Sequence, residues 1–214
     1  MQSVYIYGVQ FSPFVRAVQM VCEEKGIDYQ IGKQINGQTA EFKSEAHLAY
    51  HPLGKMPVLF CGDIALTETA TICRFLDSQY EGKTLQPNDL IERSKVDEWC
   101  QLCTTYLIHA FMRDYILELA FPQGQGGKPR FDVIEMNKAS AVNAIKMIEK
   151  QLADQDFMLG NRFTLADCVI APALYYAQQL PEQFALLSEK SPVHTYVARI
   201  RERDSGKKVI IPKQ

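Results

Sequence analysis

The sequence predicts two domains of different class, an α/β domain with the element order βαβαββα and an all-helical domain after it. The first observation is that short β-branched or aromatic runs alternate with amphipathic stretches only up to residue 81. The second is that apolar residues beyond residue 90 recur at helical spacing alone. With 214 residues, 47% hydrophobic and 22% charged, the chain is long enough for two modest domains with buried cores.

The predicted elements of the first domain, residues 1–81, follow from local signals. Pro13 can start a helix and Gly26 can end it, and a Gly-Asp pair at 62 and 63 separates the strands of a hairpin. In chain order we predict a strand at 3–7, a helix at 13–25, a strand at 27–31, a polar segment with weak helical character up to residue 50, hairpin strands at 57–61 and 64–66, and a helix at 68–80.

The second half of the chain reads as helices after a linker. Residues 82–89 contain glycine, proline and asparagine without periodic apolar positions, so residues 90–214 form the predicted helical domain. Thr164 and Asp167 have the spacing of a capping box at a helix start, and Pro172 should kink that helix. The helices are predicted at 91–121, 131–152, 164–176, 182–188 and 192–203.

Charge and cysteine content exclude several classes of protein. The chain has 23 Lys and Arg against 25 Asp and Glu without long blocks of either sign, so neither nucleic acid nor a membrane is an expected partner. No signal peptide and no apolar run of roughly 18 residues is recognised, and we expect a cytoplasmic location. Cys100 and Cys103 lie in a predicted helix without a second ligand pair, so no metal is expected.

Four segments carry the pattern from which a function can be inferred. Residues 12–18 read SPFVRAV after the first strand, residues 51–59 read HPLGKMPVL, and residues 68–72 read ETATI at a helix start. Residues 160–167, GNRFTLAD, contain the capping box. Together these segments resemble the cytosolic glutathione transferase superfamily over essentially the whole chain, and the first is similar to the active-site segment of its serine-type theta, tau and phi classes. His51 stands where that family usually has asparagine.

Ser12 is the predicted catalytic residue, because the resemblance places its hydroxyl beside the thiol of bound glutathione. A free thiol has a pKa of about 8.5, and lowering it by roughly two units needs about 2.7 kcal/mol. A hydrogen bond to a charged group supplies roughly 1.5 to 3 kcal/mol and a helix N-terminus about 0.3 to 1 more, so a hydroxyl donor is sufficient. The alternative is that Ser12 is an ordinary helix N-cap before Pro13, and both roles can coexist.

The resemblance implies a thioredoxin-like fold for the first domain, and it assigns the residues that would bind glutathione. These are His51, Lys55, Met56, Pro57, Glu68 and Thr69, with Lys43 as a weaker addition. Glu68 and Thr69 would hold the γ-glutamyl end and Lys55 the glycyl carboxylate, while Met56, before a cis Pro57, would pair with the peptide. Residue chemistry alone also allows ordinary explanations, because an acid and a hydroxyl favour any helix start and a proline can begin any strand.

The resemblance also places part of the helix 91–121 against the electrophile. The candidates for that pocket are Cys103, Tyr106, His109 and Phe111. Core packing is the simpler explanation for Cys100 and Cys103. Arg16, one turn after Ser12, could tune the site or pair with an acid, and Tyr5 and Tyr7 alternate in a strand that needs no catalytic explanation.

The expected function is detoxifying conjugation of glutathione, the co-substrate, to a small hydrophobic electrophile by a homodimer. One alternative is a glutathione-dependent thioltransferase or reductase, which would require a cysteine in place of Ser12. Another is a noncatalytic relative that serves as an interaction or stress module. Retention of Ser12, Lys55, Glu68 and Thr69 favours ligand binding.

Overall fold

The computed structural model describes residues 3–212, except for the side chain of Asp114. The elements of the N-terminal part are β1 (Val4–Tyr7), α1 (Pro13–Lys25), β2 (Tyr29–Gly32), β3 (Gln34–Ile35), β4 (Gln38–Thr39), α2 (Glu45–Leu48), β5 (Val58–Cys61), β6 (Ile64–Leu66) and α3 (Thr69–Gln79). The predicted order βαβαββα is confirmed. The two short strands β3 and β4 are an addition, because Asn36 and Gly37 both adopt positive φ angles and close a tight hairpin.

The main sheet has four strands in the order β2-β1-β5-β6. β1 is parallel to β2 and antiparallel to β5, while β5 and β6 form the predicted hairpin, which is the thioredoxin-like arrangement. Tyr7 at the end of β1 pairs with Val58 at the start of β5. The segment after Tyr7 and the segment before Val58 therefore leave the sheet at the same end of the strands.

The helical part contains α4 (Leu90–Leu102), α5 (Ile108–Phe111), α6 (Leu117–Ala120), α7 (Phe131–Leu152), α8 (Leu165–Gln178), α9 (Pro192–Glu202) and α10 (Asp204–Val209). The predicted helix 91–121 is a continuous helical stretch from Leu90 to Ala120, but it includes two π-helical turns, Cys103–Leu107 and Met112–Ile116. A π turn accommodates an extra residue and rotates the residues after it around the helix axis. The side chains of this stretch therefore do not follow a simple 3.6-residue period.

The start of α8 is the predicted capping box. The Asp167 carboxylate accepts hydrogen bonds from the Thr164 amide at 2.8 Å and from the Thr164 hydroxyl at 3.1 Å. The prediction of a helix at 182–188 was wrong, because only the single 3₁₀ turn Glu182–Phe184 forms there. That turn has no capping side chain, and helices so short are marginal. The final short helix α10 was not predicted.

One hydrophobic core extends through both parts of the chain. α1 packs against α3 and α8, and the fully buried Val18, Ile72 and Ile170 belong to the same cluster. Arg203 donates hydrogen bonds to both carboxylate oxygens of Glu24, at 2.8 and 2.6 Å, and so fastens the end of the chain to α1. Within residues 3–212, no helix has the length and apolar character needed to cross a membrane.

Candidate active site

A cavity of about 740 Å³ opens between the N-terminal domain and the helical stretch from Leu90 to Ala120. The polar residues on its N-terminal side are Ser12, Lys43, His51, Lys55, Glu68 and Thr69. The wall formed by the helical domain carries the apolar side chains Met112, Ile116, Leu117, Ala120 and Phe121 beside the polar Thr104, His109, Arg113 and Tyr176, and Phe11 and Phe14 add apolar surface from the other side. The cavity therefore joins a polar half to an apolar half, which suits two ligand groups of different chemistry.

Ser12 occupies the N-cap position of α1 in an extended conformation, with φ −66° and ψ 127°. Its carbonyl accepts the amide of Arg16 at 2.9 Å, whereas its hydroxyl makes no capping hydrogen bond. The helix-cap alternative thus accounts for the position of Ser12 but not for its hydroxyl. Because the residue lines the cavity at the positive end of the helix dipole, the hydroxyl can donate to an anion there.

The two tyrosines of β1 have other partners. Tyr7 is buried, and its hydroxyl donates a hydrogen bond to the Ala40 carbonyl at 3.0 Å. Burial raises the pKa of this phenol. The Tyr5 hydroxyl accepts the amide of Gln34 at 2.8 Å. Neither tyrosine lines the cavity, which leaves Ser12 as the hydroxyl at the end of β1 that does.

His47, which was not among the predicted site residues, holds two backbone segments that form the polar half of the cavity. The ring is fully buried; its Nδ1 accepts the Lys43 amide at 3.0 Å, and its Nε2 donates to the Lys55 carbonyl at 2.9 Å. A single neutral tautomer satisfies both bonds. His47 thereby fixes the backbone of the two lysines that line the cavity.

Glu68 and His51 face each other at the start of α3. Glu68 has a φ angle of 67°, a left-handed conformation that costs a residue other than glycine roughly 1–3 kcal/mol and that concentrates at functional sites. Its carboxylate is exposed, and Oε1 lies 3.9 Å from Nε2 of His51. Burial lowers the pKa of His51, so the ring is neutral near pH 7. Thr69, the first residue of α3, is buried and also lines the cavity.

The segment before β5 forms the floor of the polar half. The Met56–Pro57 peptide bond is cis, as predicted, and both residues line the cavity. Gly54 lies two residues earlier with a φ angle of 57°, and a Cβ atom there would lie 2.8 Å from Cγ of Lys43. Only glycine therefore lets the segment approach Lys43 this closely.

The prediction for the electrophile pocket needs correction at three of its four residues. His109 lines the cavity, and its ring centroid lies 5.5 Å from that of Phe14. Cys103 and Phe111 are fully buried in the core, and Tyr106 is 64% exposed outside the cavity. The physical reason is orientation, because Cys103 and Phe111 face the core and Tyr106 faces solvent, so none of the three side chains faces the cavity.

Sequence reasoning missed the side chains that form most of the helical wall. Met112, Ile116 and Ala120 recur every four residues, and this spacing could have identified them as one apolar face. Tyr176 on α8 also lines the cavity, although it lies 164 residues after Ser12 (176 − 12). No sequence signal connected it with the site. Among the described side chains, no group of three His, Cys, Asp or Glu residues could hold a metal ion.

Two family models match separate segments of the chain. Residues 11–79 match the family described as "Glutathione S-transferase, N-terminal domain", and residues 131–199 match "Glutathione S-transferase, C-terminal domain". Among curated proteins, glutathione S-transferase 3 of Zea mays is 28% identical over 98% of this chain and 94% of its own length.

Solved structures are similar over the full length. A theta class glutathione S-transferase from Xanthomonas axonopodis pv. citri, with glutathione bound, superposes with a TM-score of 0.83 at 23% identity, covering 100% of this chain and 99% of its own. Glutathione S-transferase I from maize, in complex with an atrazine glutathione conjugate, gives 0.79 at 27% identity, covering 97% and 96%.

Proposed function

The chain belongs to the glutathione transferase superfamily, and on that basis we propose that it conjugates the thiolate of glutathione to a small apolar electrophile. Ser12 carries the proposal, because it lines the cavity at the head of α1 and its hydroxyl makes no capping hydrogen bond. A hydroxyl in this place can donate to the sulfur anion, and the helix N-terminus favours the same charge. Ser12 acts as a hydrogen-bond donor to the thiolate and not as a base.

Glutathione binds, in this proposal, across the polar half of the cavity. The Glu68 carboxylate faces the γ-glutamyl ammonium, and the Thr69 hydroxyl with the first amides of α3 faces the γ-glutamyl carboxylate. Lys55 meets the glycyl carboxylate, while His51, whose Nε2 lies 3.9 Å from Oε1 of Glu68, lies beside the γ-glutamyl end. The backbone of Met56 pairs with the peptide between these two ends. The carboxylate of Glu68 and the ammonium of Lys55 both line the cavity, and this pair of opposite charges supports the orientation of the tripeptide.

The electrophile occupies the apolar half beside His109 and the helical wall. A thiolate held at Ser12 points toward that half, because Phe11 and Phe14 flank Ser12 and both line the cavity. The maize relative, whose structure holds an atrazine glutathione conjugate, supports an electrophile of this size and polarity. Residues 1–81 then form the glutathione domain, 82–89 the linker, and 90–214 the domain that lines the electrophile pocket.

The cysteine positions argue against the thioltransferase alternative. A reductase of this fold needs an accessible thiolate at the position of Ser12. All six cysteines of the chain are buried. Burial also raises the thiol pKa of Cys103, which was a candidate for the electrophile pocket. Attack by the glutathione thiolate on an external electrophile needs no cysteine from the protein.

We also propose that two copies pair in the cytoplasm. Leu90 and Ile91, at the start of α4, are 75% and 73% exposed, and burying such adjacent apolar side chains against a second copy would favour pairing. Sedimentation should give a mass near twice that of the chain, which is 24.3 kDa. A monomer at micromolar concentration would contradict the pairing.

Calorimetric titration with glutathione, followed by an assay with chlorodinitrobenzene, tests the proposed function. We expect saturable binding and turnover that depends on both substrates. Binding without turnover would instead identify a noncatalytic member of the superfamily, and the absence of binding would overturn the assignment of the cavity.

A further inference from the structure

Two side chains hold the loop that carries Ser12. The loop connects β1 to α1, and its residues 10 and 11 each present a backbone carbonyl to a side chain. Arg16 Nε donates to the Gln10 carbonyl at 3.1 Å, and the Tyr176 hydroxyl donates to the Phe11 carbonyl at 2.6 Å. The two carbonyls immediately before Ser12 are therefore both fixed from outside the loop.

The two donors also contact each other across the domain boundary. Arg16 belongs to α1, whereas Tyr176 belongs to α8 in the helical domain. The Arg16 guanidinium carbon lies 5.2 Å from the centroid of the Tyr176 ring, within the range of a cation–π contact. The helical domain thus contacts the Ser12 loop through Tyr176. The ring of Tyr176 in turn packs against Arg16 of α1.

Burying Arg16 at this position costs folding free energy. Arg16 is 3% exposed, and its Nη1 atom is buried without a hydrogen-bond partner. A buried cation with an unmade hydrogen bond lowers stability, and an apolar side chain of similar volume would fill the space at less cost. Folding alone therefore does not account for Arg16, whereas fixing Gln10 and bracing Tyr176 does.

We propose that Tyr176, braced by Arg16, is a positioning residue that sets the distance from the Ser12 hydroxyl to the glutathione sulfur. The inference rests on the proposed function, in which that hydroxyl stabilises the thiolate. Tyr176 acts through the Phe11 carbonyl and touches no reacting atom. Because Tyr176 also lines the cavity, the wall that receives the electrophile and the loop that holds the thiolate share one side chain.

Tyr176→Phe removes the donated hydrogen bond and keeps the ring that lines the cavity and faces Arg16. We expect kcat for conjugation at pH about 6.5 to fall roughly three- to tenfold, because misplacement of a catalytic group by an ångström can cost up to a hundredfold. The apparent pKa in the pH profile should rise, while KM for glutathione changes by less than about twofold, because the binding groups are untouched.

Tyr115→Phe is the matched control. The Tyr115 hydroxyl donates to the Phe184 carbonyl at 3.1 Å, a bond of the same type within the helical domain, and Tyr115 does not itself line the cavity. This variant loses one tyrosine-to-carbonyl bond and should keep the parent pH profile, whatever its effect on melting temperature. A shift of the profile in both variants would reduce the role of Tyr176 to general stability and overturn the proposal.

Combination with Ser12→Ala separates positioning from other roles. If Tyr176 acts through Ser12, then Tyr176→Phe should add almost no further loss in the Ser12→Ala background. A full additional loss would show that Tyr176 acts on the electrophile directly, and an unchanged profile of the single variant would also overturn the proposal. In both of these cases the parent enzyme still conjugates glutathione, so the proposed function stands.

Amide hydrogen exchange provides a readout that does not need turnover. Exchange within residues 8–12, measured on the unliganded protein, should be faster in Tyr176→Phe than in the parent and unchanged in Tyr115→Phe. Equal exchange in all three proteins would show that the bond does not hold the loop. Equal exchange would overturn only the positioning of the loop. The proposed function would be overturned by a different result, a parent protein that does not conjugate glutathione.

Discussion

The Nε2 atom of His51 lies 3.9 Å from Oε1 of Glu68, so a buried imidazole stands behind an exposed carboxylate. Burial is the main cause that lowers the pKa of His51, and the ring is neutral near pH 7. A neutral ring leaves the full charge of Glu68 to a ligand ammonium. A protonated ring would instead pair with the carboxylate and compete with that ligand.

His51 should make a contribution to stability that is lost as the pH drops below about 6.5, so the parent should lose more stability over this range than His51→Asn does. The pKa of folded His51 lies below its ordinary value, so the unfolded chain binds a proton first as the pH decreases. Stability supplied by the neutral ring is therefore present above about pH 6.5 and is lost as the pH falls toward the folded pKa. Melting temperatures between pH about 5.5 and 7.5 check this, and equal slopes in both proteins would contradict it.

Glu68→Ala should weaken glutathione binding by about 1.5 to 3 kcal/mol, roughly 10- to 160-fold, because it removes a charged hydrogen-bond acceptor for the ammonium. Thr69→Ala should cost less. Asp63→Ala is the control, since Asp63 is an exposed acid in the turn between β5 and β6 and does not line the cavity. Calorimetry measures all three, and parental affinity in Glu68→Ala would contradict the orientation proposed for glutathione.

The native protein should not react with a thiol reagent. Cys103 and the other five cysteines are buried, and burial raises the thiol pKa of Cys103. Titration with an aromatic disulfide that releases a coloured thiolate should detect almost no thiol in the folded state and all six after denaturation. Rapid labelling of one native cysteine would reopen the thioltransferase alternative.

Asp167→Ala should destabilise the fold by about 3 to 5 kcal/mol, because it leaves several buried donors without a partner. The carboxylate accepts from the Met158 amide at 2.8 Å, the Thr164 amide at 2.8 Å, the Thr164 hydroxyl at 3.1 Å and the Tyr196 hydroxyl at 3.0 Å. Urea unfolding measures the loss. A change below about 1 kcal/mol would show that the capping box is dispensable.

The sequence predicted best those features that depend on neighbouring residues. α1 has the predicted bounds, because Pro13 starts it and Gly26, with a φ angle of 65°, ends it. The residues at 12, 55 and 68, which belong to three separate motifs, line one cavity. This convergence could be expected from the strand pairing, which brings the segment after β1, the segment before β5 and the segment after β6 to the same end of the sheet.

The features that the sequence did not reveal depend on packing between distant segments. The π turns of the long helix follow no residue pattern, and the packing that buries Cys103 and Phe111 and exposes Tyr106 depends on segments far away in the sequence. The contact of Tyr176 with the Ser12 loop joins residues 165 positions apart, between Phe11 and Tyr176. His47 gave no signal of its own, because its role depends on two backbone groups that the fold brings to its ring.

The pH dependence of kcat/KM for the electrophile, measured at saturating glutathione in the parent and in Ser12→Ala, tests the central claim most directly. We expect Ser12→Ala to keep the fold, because its hydroxyl makes no capping hydrogen bond, and to keep most of the affinity for glutathione, because the hydroxyl acts mainly on the charged sulfur. Conjugation at neutral pH should fall roughly ten- to a hundredfold, equivalent to about 1.4 to 2.7 kcal/mol, and the apparent pKa of bound glutathione should rise. An identical rate and pH profile in the two proteins would show that Ser12 does not stabilise the thiolate.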